Sequence, residues 1–180
     1  TMQLPSLLRR LGLALAVLGL ALEVLAQSPT APRPSYAELV DPLTGTLSSY
    51  ELSAGNTYPV ISRPWGMNSW TPQTGKMGDG WQYTYTAQKL CGLKQTHQPS
   101  PWINDYGQFS LLPMTGKAPV FDEEKRASWF SHKAEEARPY SYEVYLADYD
   151  TRVRMAPSER AAVFEVEFSR MARPEERWIV

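Results

Sequence analysis

The clearest pattern lies in the last third of the chain. Tyr140, Tyr142, Val144 and Leu146 alternate with Ser141, Glu143, Tyr145 and Ala147. Val153 and Met155 then alternate with Arg152 and Arg154, and Phe164, Val166 and Phe168 with Glu165 and Glu167. Period-2 alternation with one polar face predicts antiparallel strands that pack on one side only. The spacing of the runs predicts successive hairpins or a meander. Earlier, Trp81, Tyr83 and Tyr85 alternate with Gln82, Thr84 and Thr86, which reads as another strand. A short apolar run at 108–114, between Gly107 and Gly116, reads as one more. Arg177-Trp178-Ile179-Val180 has the character of the middle of a strand, so the expected fold is all-β, an antiparallel sandwich incomplete at its C-terminus.

Elsewhere the pattern is interrupted. Prolines 59, 64 and 72 with glycines 66, 75, 78 and 80 exclude a helix between Tyr58 and Gly80. Residues 42–56 read as loop, and 36–41 as a turn of helix or a first strand. The charged segment 122–137 reads as a solvated loop with a short helical turn. Ser28-Pro29-Thr30-Ala31-Pro32-Arg33-Pro34 is an extended linker, because each proline disfavours helix at the residue before it.

The front of the chain reads as an address. Arg9 and Arg10 precede an apolar run at 11–22, and Val24-Leu25-Ala26 follows at the position a signal peptidase reads. The run is too short to cross ~30 Å of hydrocarbon as a helix. The expected organisation is a signal peptide over 1–26, a linker over 27–35 and a sandwich domain over 36–180. Export to the periplasm or the extracellular space follows, with no membrane attachment after cleavage.

Composition narrows the chemistry. Lys plus Arg is 18 and Asp plus Glu is 19, a net charge of -1, which argues against a basic nucleic-acid footprint. One cysteine, Cys91, excludes an internal disulfide and a Cys₄ zinc site. Two histidines, His97 and His132, leave little for a His-based metal centre. No Gly-x-Ser-x-Gly elbow and no Gly-x-x-x-x-Gly-Lys loop is present. Nothing near Cys91 lowers its thiol pKa, so it reads as a buried neutral cysteine.

The six tryptophans and ten tyrosines are the unusual numbers. Trp65, Trp70, Trp81 and Trp102 fall within 55–107, together with His97, Asn104 and Asp105. A pyranose has apolar C–H faces that stack on indole and a rim of hydroxyls that seek Asp, Asn or His partners. This stretch therefore carries the residue types of a sugar site. Asp79, in Gly78-Asp79-Gly80, reads as turn chemistry, and Asp105 is the better ligand candidate.

A run of motifs sharpens this. Gly55-Asn56-Thr57-Tyr58-Pro59, Arg63-Pro64-Trp65-Gly66-Met67, Trp70-Thr71-Pro72-Gln73-Thr74, Thr96-His97-Gln98, Asp105-Tyr106-Gly107 and Leu111-Leu112-Pro113-Met114-Thr115-Gly116 occur in that order. The order resembles the N-terminal domain of glycoside hydrolase family 92, the calcium-dependent exo-acting α-mannosidases. The likeness extends over 38–170. It departs from the family pattern at Trp65, where members usually carry Phe, and around His97-Gln98-Pro99-Ser100-Pro101-Trp102.

The resemblance implies a galactose-mutarotase-like β-sandwich followed in the full-length protein by an (α/α)₆ barrel. The site would lie between the two domains, and hydrolysis would invert the anomeric centre. The acid, the base and the calcium ligands would come mainly from the barrel, so this piece alone is expected to be inactive. No catalytic residue and no metal ligand is carried over. A sugar-binding role is carried to Trp70 and Trp81, and to His97, Trp102 and Asp105. The expected partners are mannose-containing glycans and the missing barrel domain. The alternative is a stand-alone, non-catalytic carbohydrate-binding sandwich.

Overall fold

The computed structural model describes residues 35–47, 57–75, 83–96 and 109–180. The chain divides into two compact units, Thr1–Ser35 and Tyr36–Val180. The expected signal peptide and nearly all of the expected linker lie outside the described residues. Among the described residues no helix is long and apolar enough to cross a membrane.

Twelve short strands carry the second unit, with one single-turn α-helix and a few 3₁₀ turns among the described residues. The first sheet has the order β1 (Ile61–Ser62), β2 (Ser69–Gln73), β4 (Gly92–Thr96), β5 (Ser110–Leu111). The second has the order β11 (Ala162–Glu167), β10 (Thr151–Pro157), β9 (Ser141–Leu146), β8 (Glu135–Arg138). Two pairs complete it: β3 (Lys89–Leu90) with β7 (Ser128–Trp129), and β6 (Pro113–Thr115) with β12 (Arg177–Ile179). All pairings are antiparallel. The fold is an all-β sandwich.

The alternation read at the C-terminal end sets the packing phase. Tyr142, Val144 and Leu146 of β9 and Val153 and Met155 of β10 are buried, opposite Ile61, Trp70 and Leu93 from the first sheet. Each fully buried aliphatic side chain contributes about 1.5–3 kcal/mol through removal from water. The opposite face of the second sheet is charged. Glu143 bridges Arg152 and Arg154 of the neighbouring strand, and Arg154 reaches Glu165 and Glu167 of the next. These bonds hold the Glu143 carboxyl below the usual carboxylate range, Arg154 first and Arg152 second.

Several expectations change. Tyr83 to Ala87 form a turn, not a strand, closed by the Ala87 N–H donating to the Thr84 carbonyl at 3.0 Å. The 108–114 run splits at Leu112 between two sheets, because Leu112 exchanges backbone hydrogen bonds with Val180. The segment read as a solvated loop over 122–137 holds α1 (Glu123–Arg126), β7, a 3₁₀ turn and the start of β8. It buries two charged groups: Arg126 donates to the Cys91 carbonyl, and the Glu135 side chain is fully enclosed. Asp122 caps α1 by accepting from the Glu124 and Lys125 N–H groups. Residues 36–39 form a 3₁₀ turn.

Candidate functional site

Four of the five sugar-site candidates fall in two segments of the chain. Trp81 belongs to 76–82, and His97, Trp102 and Asp105 belong to 97–108, so all four lie outside the described residues. Their roots are described. The first loop is closed by the Thr84 N–H donating to Thr74 Oγ1 at 3.0 Å. The second is closed by the Gln95 N–H donating to the Phe109 carbonyl at 3.1 Å. Gln73 pairs with Gly92, and Ser69 with Thr96. The described residues that flank the two segments therefore stand at opposite ends of the β2–β4 pair, whose Ser69–Gln73 span is about 13 Å at 3.3 Å per residue.

Trp70 is described, and it lies in the core. It is 3% exposed, and its ring meets Phe109 and Phe164 edge-on at 5.4 and 5.0 Å between centroids. Its indole N–H donates to Asn68 Oδ1 at 2.6 Å. As placed, the ring has neither a free face for a sugar nor a free donor. Phe109 ends the 97–108 loop, so Trp70 packs directly against that loop's root.

Between the two roots lies a layer the sequence reading did not anticipate. The face of the first sheet turned away from Trp70 consists of Ser69, Thr71 and Gln73 on β2, Gly92, Lys94 and Thr96 on β4, and Ser110 on β5. It is polar and it is covered: Thr71, Gln73 and Thr96 have no exposure, and Lys94 has 1%. Tyr58 shares a hydrogen bond between its hydroxyl and Thr96 Oγ1 at 2.7 Å. Gln73 Nε2 donates to the Gly75 carbonyl at 2.8 Å, while Gln73 Oε1 and Ser110 Oγ have no partner. The signal was present in the sequence, since Ser-Trp-Thr-Pro-Gln alternates polar and apolar. Pro72 and the neighbouring glycines hid it. Pro72 is tolerated because β1 stops opposite Trp70, leaving β2 one strand neighbour beyond that point.

A second buried cluster fixes the turn that follows Trp81. The Glu135 carboxylate accepts from the Tyr83 hydroxyl at 3.1 Å and the Tyr142 hydroxyl at 2.6 Å, and it lies 2.5 Å from His132 Nδ1. His132 Nε2 is 2.6 Å from the Tyr85 carbonyl, and the two rings stack at 4.0 Å. Burial first, and then the Glu135 charge, push both tyrosine hydroxyls well above their ordinary range. Both hydroxyls therefore donate to Glu135, and the cluster clamps the turn at 83–87. His132, within the segment read from the sequence as a solvated loop, is part of it.

The remaining chemistry is modest. Cys91 is buried, and desolvation pushes its thiol up to about 12, so it is not a nucleophile. A cavity of about 390 Å³ runs beside it between Lys89, Glu123 and Glu124. Another of about 540 Å³ is bordered by Tyr145, Asp150, Arg152 and Glu167, but these groups are engaged with one another or with Glu143. Among the described residues no group of three or more His, Cys, Asp or Glu could hold a metal ion. The described residues thus do not fit the calcium implied by the resemblance.

The fold is an antiparallel sandwich with a buried polar sheet face, and comparison with known proteins makes its class specific. Residues 39–180 match the Glycosyl hydrolase family 92 N-terminal domain. The chain belongs to this family. It is 45% identical to the family 92 inverting mannosidase BT2199 of Bacteroides thetaiotaomicron, with a TM-score of 0.73 over 79% of this chain and 19% of that one. It is 30% identical to the α-mannosidase BT3965 of the same organism, solved with mannoimidazole, with a TM-score of 0.62 over 73% of this chain and 18% of that one. The family 92 hydrolase ccman5, at 23% identity and a TM-score of 0.62, shares the fold. A comparison with curated proteins gave no match. The chain spans about a fifth of the length of these solved proteins.

Proposed function

We propose that this chain is the sugar-binding N-terminal domain of an exported, exo-acting α-mannosidase. The full-length protein would remove terminal α-linked mannose from N-glycans or mannans with inversion. In such a reaction one carboxylic acid protonates the leaving oxygen while a second carboxylate activates water on the opposite face of the ring. Both groups, and the calcium that would orient the mannose, are assigned to the barrel domain and not to residues of this chain.

The observation that carries the reading is the family match over 39–180 together with 45% identity to an inverting mannosidase. Within the chain, Trp81, Trp102, His97 and Asp105 are assigned the sugar contacts, indole for the C–H face and the polar groups for the hydroxyls. Trp70 enters as support, holding β2 and the root of the 97–108 loop through Phe109. The Glu135 clamp holds the turn at 83–85, directly after Trp81.

Calorimetric titration with α-mannan and with a β-glucan of similar size tests this. Binding of the mannan alone is expected. Equal binding of both, or of neither, overturns the proposal.

A further inference from the structure

His132 faces a hydrogen-bond acceptor at each nitrogen of its ring. Nε2 lies 2.6 Å from the Tyr85 carbonyl, and Nδ1 lies 2.5 Å from Glu135 Oε2. A carbonyl oxygen only accepts, so Nε2 carries a proton. A neutral imidazole has one N–H, and the Tyr85 bond uses it. The contact between Nδ1 and Oε2 therefore needs a second proton. The Tyr142 hydroxyl donates to Glu135 Oε1 at 2.6 Å, and the Tyr83 hydroxyl lies 3.1 Å from both oxygens. Donors aimed at a carboxyl group favour its ionised form. The second proton thus belongs on the ring, as an imidazolium beside an ionised Glu135.

Few groups face the ring. Glu135 comes from β8, and its side chain has no exposure. The Tyr85 ring stacks on the imidazole at 4.0 Å with the planes 10° apart, and Phe130 meets it edge-on at 5.2 Å. Tyr83 and Tyr142 reach it only through Glu135, and Asp41 bears on the Tyr83 hydroxyl. Lys133, next in the chain, is exposed. The imidazole side chain is itself 27% exposed, so its proton has a path to solvent.

When one proton leaves, two acceptors compete for a single N–H. A bond to a carboxylate is about twice as strong as one to a neutral carbonyl, so the proton stays on Nδ1. Nε2 then turns a lone pair toward the Tyr85 carbonyl, and that contact opens. The rest of the turn stays tethered. The Tyr85 N–H donates to the Thr46 carbonyl at 3.0 Å, and the Thr84 N–H to Thr74 Oγ1 at 3.0 Å.

We propose that His132 is a pH-sensitive latch on the turn at 83–87, closed onto the Tyr85 carbonyl when the ring holds two protons and released when it holds one. Histidine is the side chain that changes charge between pH 5 and 8, so raising the pH opens the latch and lowering it closes the latch. The device needs no ligand and goes beyond the sugar-binding reading.

NMR of the isotope-labelled full chain between pH 5 and 8 tests this. It follows the ring nitrogens of His132 and the amide of Thr86, which shares its peptide group with the Tyr85 carbonyl. Both nitrogens are expected to be protonated at the acid end. As the pH rises one proton leaves, Nδ1 keeps the other, and the Thr86 amide shifts with the same midpoint. In His132→Gln the Thr86 step is absent, which separates it from the titration of His97. A ring with one proton at the acid end, or still with two at the alkaline end, overturns the latch. So does a last proton held on Nε2, a Thr86 amide that does not move, or a Thr86 step that survives in His132→Gln. The unmodified chain decides the matter by itself if that variant does not fold.

Discussion

The Nδ1 atom of His132 lies 2.5 Å from the carboxylate of Glu135, a side chain with no exposure to solvent. Through that carboxylate the 3₁₀ turn at 132–134, strand β9 and the turn at 83–87 become one unit, since Tyr142 and Tyr83 donate to it as well.

Removing the acceptor leaves buried donors unpaired, each at a cost of about 1–3 kcal/mol. Glu135→Ala is therefore expected to lose about 2–5 kcal/mol in urea denaturation. Tyr83→Phe in that background should cost much less than it does alone, because its partner is already gone. Additive losses would contradict the clamp.

Tyr83 and Tyr142 both keep their protons in the folded state beyond the ordinary tyrosine range near 10. The stability they contribute is complete below pH 10. It falls as pH rises further, because the unfolded chain releases protons that the folded chain retains. Melting temperatures measured from pH 8 upward should stay level and then drop above pH 10. The Tyr83→Phe, Tyr142→Phe double variant should show a shallower drop. An equal drop would assign the effect to other groups.

Ser110 Oγ has no partner and lies 2.0 Å from where a Cβ on Gly92 would sit, with Ser110 Cβ at 3.3 Å. Ser110→Ala removes an unsatisfied hydroxyl and is expected to be neutral or slightly stabilising. Gly92→Ala should destabilise, and should do so less in the Ser110→Ala background, where the contacts with Gln73 Oε1 at 3.1 Å and Ser110 Cβ at 3.3 Å remain. Equal losses in both backgrounds would show that the hydroxyl is not the obstacle.

Cys91 is buried and its thiol is pushed up to about 12, chiefly by desolvation, so little thiolate forms at neutral pH. A chromogenic disulfide reagent at pH 8 should react with it only as fast as the chain unfolds. Rapid labelling of the folded protein would contradict this placement.

The second sheet was legible because its strands have one apolar and one charged face. Val144, Val153 and Phe164 fall in phase with their written alternation. The first sheet was not, for a physical reason. Both of its faces are covered, and the outer one is covered while polar, so Thr71, Gln73 and Lys94 carry no one-sided apolar alternation and no strand is assigned to them from the sequence. Glu135 misled in the same way: a carboxylate in a charged run looks solvated until the tyrosines that enclose it arrive from distant parts of the chain. Of the candidate site, the aromatic and polar residue types were visible in the sequence. That Trp70 turns inward depends on Phe164, over ninety residues away, which no local pattern reveals.

The most direct measurement of the central claim uses the chain labelled with fluorotryptophan and titrated with methyl α-mannoside, each resonance being assigned by single Trp→Phe replacement. Shifts at Trp81 and Trp102, with the buried Trp70 unmoved, are the predicted result. Unchanged resonances at Trp81 and Trp102 across a saturating titration would contradict the sugar-binding account.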